Sequence, residues 1–238
     1  MPRLWLFALT AALVHAQDWS ELERALGQRL AEDIRNRHKS VNSEVRGYVQ
    51  RTGNRFASPY TFEIIVDDAG VYEPIALPGG YIVASTGLLL AAHDESEFAG
   101  MLAHAAGHLA EGHYKSRSAP SGAVPMIFIG GDPNNSLIPA SRIPERREFE
   151  LAADRWSVAA MARAGWDPAA LLRYIERMQP PDNSKSSPLP ARETRIANLQ
   201  EAIALVPPGT YSETADFSNV RDQFSPAPRK IPSLRHPQ

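Results

Sequence analysis

Leu102-Ala103-His104-Ala105-Ala106-Gly107-His108-Leu109-Ala110-Glu111-Gly112-His113 holds three of the chain's seven histidines. Most of the intervening residues are small or apolar, and Gly112 is a stop signal, so the stretch predicts a helix from Glu97 to about Glu111 with Ser96 as its cap. Residues four apart on a helix lie about 40° from one another, so His104 and His108 share a face and both rings can reach one metal ion. Ala105, directly after the first histidine, brings only a methyl group to that face's border.

Two histidines do not complete a metal site. A catalytic zinc usually has three protein ligands and one open position. The chain has no cysteine, so a third ligand must offer nitrogen or oxygen. Arg147-Glu148-Phe149-Glu150-Leu151-Ala152-Ala153-Asp154 lies in a second predicted helix, Glu145 to Ala164. Glu150 is the best candidate ligand there. Asp154, one turn on, can accept a hydrogen bond from the second nitrogen of a ligating histidine, which orients the ring and raises its basicity. The small Ala152 and Ala153 would let the two helices approach. His113 follows His108 by five positions and should face about 140° away, as a helix-end residue rather than a ligand. Glu111 shares the histidines' face but sits about 10 Å along the axis from His104. Glu111 and Glu148 are expected to be solvated.

The spacing matches the metallopeptidase motif His-Glu-x-x-His, in which the glutamate is the general base. Here that position is Ala105. The stretch is a metal anchor without its acid/base group.

Outward from this core, Asp18 to Arg37 predicts a helix with Trp19, Leu22, Leu26, Leu30 and Ile34 facing inward. A second helix is expected from Val41 to about Gly53, with Val45, Tyr48 and Val49 buried. Tyr60 to Val66 is rich in β-branched and aromatic residues and reads as a strand. Pro74 to Ser85 is divided by Pro78-Gly79-Gly80 into two short extended pieces, giving a sheet of about three strands. Thr86 to Leu90 starts a helix. Tyr114 to Pro144 carries five prolines and three glycines and reads as a lid, binding loop or insertion. Ala169 to Met178 and Ala191 to Leu205 are the last expected helices. Residues 206–238 are proline-rich and are expected to be extended or disordered. The fold class is α+β, mainly helical with a small β-sheet beside the metal-binding helix.

A net charge of −2 gives no footprint for nucleic acid. Arg3, the apolar run Leu4 to Val14 and the small Ala16 before Gln17 describe a signal peptide over residues 1–16. The run is shorter than the ~20 residues needed to span a bilayer. The expected mature domain, 17–205 followed by the tail, is exported to the periplasm or secreted, with no transmembrane segment after cleavage.

The ordered motifs resemble the HtpX and CAAX-prenyl-protease type of zinc metallopeptidase (peptidase family forty-eight of the metallo class). That family reads Asn-Ala-Phe-Ala-Leu-Pro-Gly-Gly, Gly-Leu-Leu, Glu-Leu-Ala before His-Glu-x-x-His, Glu-x-x-x-Asp, Ala-Gly-Tyr-Asp-Pro, and His-Pro before Arg-Ile. This chain has Ala76-Leu77-Pro78-Gly79-Gly80, Gly87-Leu88-Leu89, Glu97-Phe98-Ala99, His104 and His108, Glu150 to Asp154, Ala164-Gly165-Trp166-Asp167-Pro168 and Arg195-Ile196. The resemblance covers roughly Ser20 to Leu205. It implies a gluzincin fold, one zinc ion on His104, His108 and Glu150, Asp154 behind them, and an extended or unfolded polypeptide along Ala76, Leu77, Pro78, Gly79 and Gly80. Three departures cluster at the chemistry: Ala105 at the general-base position, Glu73 for the asparagine before Ala-Leu-Pro-Gly-Gly, and Leu189 for the histidine of His-Pro. Loss of a positioned general acid/base typically costs about 10²–10⁴-fold.

Three functions remain open. One is an exported zinc-binding family member that acts on or binds envelope proteins or peptides, with hydrolysis weak or lost. Another is an active metallopeptidase using Glu73 or substrate assistance as base. The last is a metal-free structural or interaction scaffold.

Overall fold

The computed structural model describes residues 21–56, 58–67, 73–113, 140–181 and 187–225. The expected leader and most of the expected lid or insertion lie outside the described residues. No helix among the described residues is long and apolar enough to cross a membrane.

The chain opens with α1 (Glu21–Arg37), a two-residue strand β1 (Lys39–Ser40) and α2 (Ser43–Asn54). Asn42 caps α2 by accepting from the Val45 amide at 3.0 Å, and Val45, Tyr48 and Val49 face inward. β2 (Thr61–Val66), β3 (Ile75–Leu77) and β4 (Tyr81–Ser85) follow, the last two joined by a 3₁₀ turn at Pro78–Gly80. The sheet order is β1-β2-β4-β3, with β2 and β4 parallel and the other pairs antiparallel. The sheet thus has four strands rather than three, and β3 is an edge. Lys39–Ser40 was not legible as a strand because two polar, exposed residues carry no periodicity.

The pleat sends alternate residues to opposite faces. Phe62, Ile64, Ile82 and Ala84 join the main helical core, whereas Ile65, Leu77 and Val83 pack with Ala31 of α1. The α1 helix keeps part of its expected apolar stripe, with Leu30 and Ile34 packed against this second cluster, and departs from it elsewhere. Its buried residues are Gly27 and Ala31, and Leu22 is 76% exposed. At Gly27 the helix lies too close to the Pro78–Gly80 turn for any side chain: a Cβ there would stand 1.7 Å from the Pro78 carbonyl oxygen.

After the short α3 (Thr86–Ala91) comes α4 (Glu95–Ala110). Its cap is Asp94, which accepts from the Glu97 amide at 2.8 Å, and not the expected Ser96. Ser96 is buried and accepts instead from the Asp167 amide. Fifteen of the residues of α4 are buried, so it is the central helix and is covered on all sides. Against it pack α5 (Ile143–Ala164) and α6 (Ala169–Met178), and α7 (Arg192–Ala204) lies on α5 and α6. Gly165, at φ 76°, ends α5 in the left-handed conformation that favours glycine.

One correction falls on the expected tail. Ala215–Asp222 forms α8, docked by Phe217 and Val220, which are 3% and 1% exposed. Two apolar residues one turn apart suffice to seat a short helix on α2, where a proline-weighted composition had concealed it.

Candidate metal centre

The approach of α4 to α5 builds the site. Gly107 is the point of contact: a Cβ there would lie 2.9 Å from the Ala153 carbonyl oxygen. Without side chains between them, the two helices bring His104 and His108 opposite Glu150 and Asp154, all 5% exposed or less. Three ligand atoms converge. His104 Nε2 lies 3.1 Å from His108 Nε2 and 3.2 Å from Glu150 Oε2, and His108 Nε2 lies 3.5 Å from Glu150 Oε1. Among the described residues, His104, His108 and Glu150 are the group able to hold a metal ion. Ligand atoms at ~2.0–2.1 Å from a tetrahedral zinc stand about 3.3–3.4 Å apart. The observed separations bracket that value, so nitrogen and oxygen donors of these residues fit zinc.

Each imidazole is held from behind. His104 Nδ1 lies 2.9 Å from Asp154 Oδ1. Arg195, fully buried, donates to both Asp154 oxygens at 2.9 and 2.7 Å, and to Gln179 Oε1 at 3.1 Å. Burial opposes charge on His104, but its bonds to Asp154 and Glu150 prevail and push its pKa up to about 9. At His108 burial prevails over the nearby Glu150 carboxylate and pulls the pKa down to about 4. Burial also disfavours a charged Glu150, yet Arg146 and the imidazoles hold its carboxyl well below the usual range. Arg146 Nη2 is 2.8 Å from Glu150 Oε1.

His113 is not turned away as the helical angle predicts. Gly112 adopts φ 68°, the Gly112 amide bonds to Leu109 O at 3.1 Å, and the His113 amide bonds to His108 O at 3.0 Å. This Schellman turn reverses the chain at the helix end. His113 then stacks on Phe149, with centroids 4.3 Å apart, and places its Nδ1 3.0 Å from His108 Nδ1. The glycine after the last helical residue was the available signal, because extrapolating 100° per residue stops being valid at a left-handed residue.

Glu73, Pro74 and Ala76 line the same pocket as His104, His108, Arg146 and Glu150. Burial raises the Glu73 pKa above its ordinary value. Of Ala76, Leu77, Pro78, Gly79 and Gly80, Ala76 alone is in that lining. Leu77 belongs to the core beneath α1, and a Cβ on Gly79 would lie 2.7 Å from Arg24 Cα. Leu189 is also outside the lining; it is buried and its amide donates to Ser187 Oγ at 3.2 Å. Glu148 and Glu111 are exposed. Sequence reasoning named Arg195 only as part of Arg-Ile and missed Arg146, since nothing local distinguishes a buried arginine from a solvated one.

Comparison with known proteins gives two results. The model of Peptidase family M48 matches residues 35–132, a stretch that ends before Glu150. The beta-barrel assembly-enhancing protease of Escherichia coli is 24% identical over 230 residues, 82% of this chain and 46% of its own length. Its Vibrio cholerae counterpart is 26% identical over 223 residues, 79% of this chain and 45% of its own length. A mitochondrial metalloendopeptidase of Arabidopsis thaliana is 30% identical over 125 residues, 50% of this chain and 26% of its own length. The chain spans less than half the length of these relatives.

Proposed function

We propose that this chain, which belongs to peptidase family M48, is an exported zinc-binding member that acts on or binds envelope proteins or peptides, with peptide hydrolysis weak or lost. The observation that carries this reading is a convergent ligand triad, His104, His108 and Glu150, beside an alanine where the proton acceptor belongs. Zinc bound by such residues lowers the pKa of coordinated water to about 7. His104 and His108 would offer Nε2 to the ion and Glu150 a carboxylate oxygen. Asp154, clamped by Arg195, would hold the His104 proton on Nδ1 and leave Nε2 bare. Ala105 cannot take a proton from water or return one to a leaving amine. The edge strand β3 leads from the pocket residues Pro74 and Ala76, and an extended polypeptide could pair along it through its main chain. The names of the bacterial relatives support an envelope setting, and the signal peptide read from residues 1–16 agrees with it.

Metal analysis with a casein or peptide cleavage assay tests the proposal, on the natural chain and on Ala105→Glu. Stoichiometric zinc with little cleavage is expected, and Ala105→Glu should raise cleavage. Chelator-sensitive proteolysis by the natural chain at the level of an active relative would sink the inactive reading.

A second reading rests on Glu73. It lines the pocket, and burial raises its pKa, the direction a general base near neutral pH needs. Under this reading Glu73→Gln abolishes whatever cleavage the natural chain shows. Survival of that cleavage ends it.

A further inference from the structure

The two candidate ligand histidines rest on different supports. Behind His104 stands a carboxylate, Asp154, itself gripped by Arg195. Behind His108 stands another imidazole, with His113 Nδ1 3.0 Å from His108 Nδ1. A neutral imidazole carries one N–H and one bare nitrogen. If His108 Nε2, which faces His104 and Glu150, is the bare ligand atom, the His108 proton is on Nδ1. The atom that meets it is His113 Nδ1, which must then be bare, with the His113 proton on Nε2. Only one arrangement of protons satisfies both rings.

We propose that His113 is a positioning residue for metal binding: it accepts the His108 Nδ1 proton and so holds His108 in the tautomer and ring orientation that present Nε2 to the ion. Three features of the fold serve this. The Schellman turn at Gly112 brings His113 back over the helix end. The Phe149 ring, tilted only 13° from the His113 ring, fixes its plane. Phe149 immediately precedes Glu150 on α5, so the same helix supplies the third ligand and the platform for His113. The inference rests on the reading that zinc is held at His104, His108 and Glu150, and extends it to a fourth residue.

The test measures zinc affinity by competition with a chromophoric chelator, with the absorption spectrum of the cobalt(II)-substituted protein as a second readout. Outer partners of ligating histidines are typically worth about 10–100-fold in metal affinity. His113→Leu should therefore lose affinity by about that factor and alter the cobalt spectrum. His113→Asn, whose amide oxygen can accept in the same place, should recover most of both. Natural affinity in His113→Leu overturns the proposal. Equal losses in both variants also overturn it, because they would mean that His113 acts only by stacking on Phe149. Should the variants fail to fold, nitrogen NMR of the natural zinc-loaded protein decides: it should show His108 protonated at Nδ1 and His113 at Nε2, and a proton on His113 Nδ1 refutes the assignment. A natural chain that binds no zinc would sink the zinc reading and this inference together, whereas bound zinc with an indifferent His113 removes this inference alone.

Discussion

The two ends of α4 are both buried and both polar, and they are built on opposite plans. At the N-terminal end each carboxylate has dedicated donors. Glu95 accepts from Tyr48 Oη at 3.0 Å and from the Thr214 amide and hydroxyl, the latter at 2.7 Å. Glu97 accepts from the His93 amide at 2.8 Å and pairs with Arg177. At the C-terminal end, His104, His108 and Glu150 direct their outer atoms toward one another, with separations suited to a shared ion. At the first end every contact is a closed donor–acceptor pair, whereas at the second two ring nitrogens and a carboxylate converge at separations that a shared cation also fits. Burial of polar groups therefore does not by itself mark a functional site. The arrangement of donors against acceptors does.

That contrast can be broken in several ways, beginning with the largest expected effect. Zinc at about 1,000 times its dissociation constant should stabilise the fold by about 4 kcal/mol, a rise in melting temperature of about 8–16 °C for a chain of this size. An unchanged melting curve would favour the metal-free scaffold. His104→Ala should weaken zinc binding by at least about 10²-fold, since several ligands share a total of roughly 10–16 kcal/mol. Chelator competition measures this loss. Glu95→Ala should do the reverse and leave zinc affinity unchanged. It strands the buried Tyr48 hydroxyl, costing roughly 1–3 kcal/mol in urea unfolding, and frees Thr214 at the start of α8. Gly107→Ala would push α4 from α5, because its Cβ would meet the Ala153 backbone. Overpacking typically costs about 1–3 kcal/mol, and here part of that should appear as weaker zinc binding. Smallest, and opposite in sign, is Arg146→Met. A guanidinium on the ligand carboxylate repels a metal cation, so its removal should tighten zinc binding by about tenfold. Weaker binding would mean that Arg146 serves mainly to orient Glu150.

Much of the fold was legible in local pattern. Thr61–Val66, Ala169–Met178 and the histidine helix follow from periodicity and turn residues read within a window of a few positions. The misreadings share one physical cause, which is that their structure depends on distant partners. Leu22 is apolar yet exposed, because α1 docks through Gly27 onto the Pro78 turn. Ser96 looks like a cap but is engaged by Asp167, leaving the capping to Asp94. The segment around Phe217 has a tail's composition but finds a seat on α2.

Local spacing alone sets the histidine pair. A spacing of four residues on a helix puts His104 and His108 on one face wherever that helix lies, and Ala105 beside them carries no titratable group in any conformation. What surrounds the two rings comes from packing between distant segments. Arg195 behind Asp154, Arg146 on Glu150 and His113 behind His108 depend on a glycine-to-alanine helix contact and a left-handed turn. Both are settled by packing between segments far apart in the chain, or by a backbone conformation that residue spacing does not express.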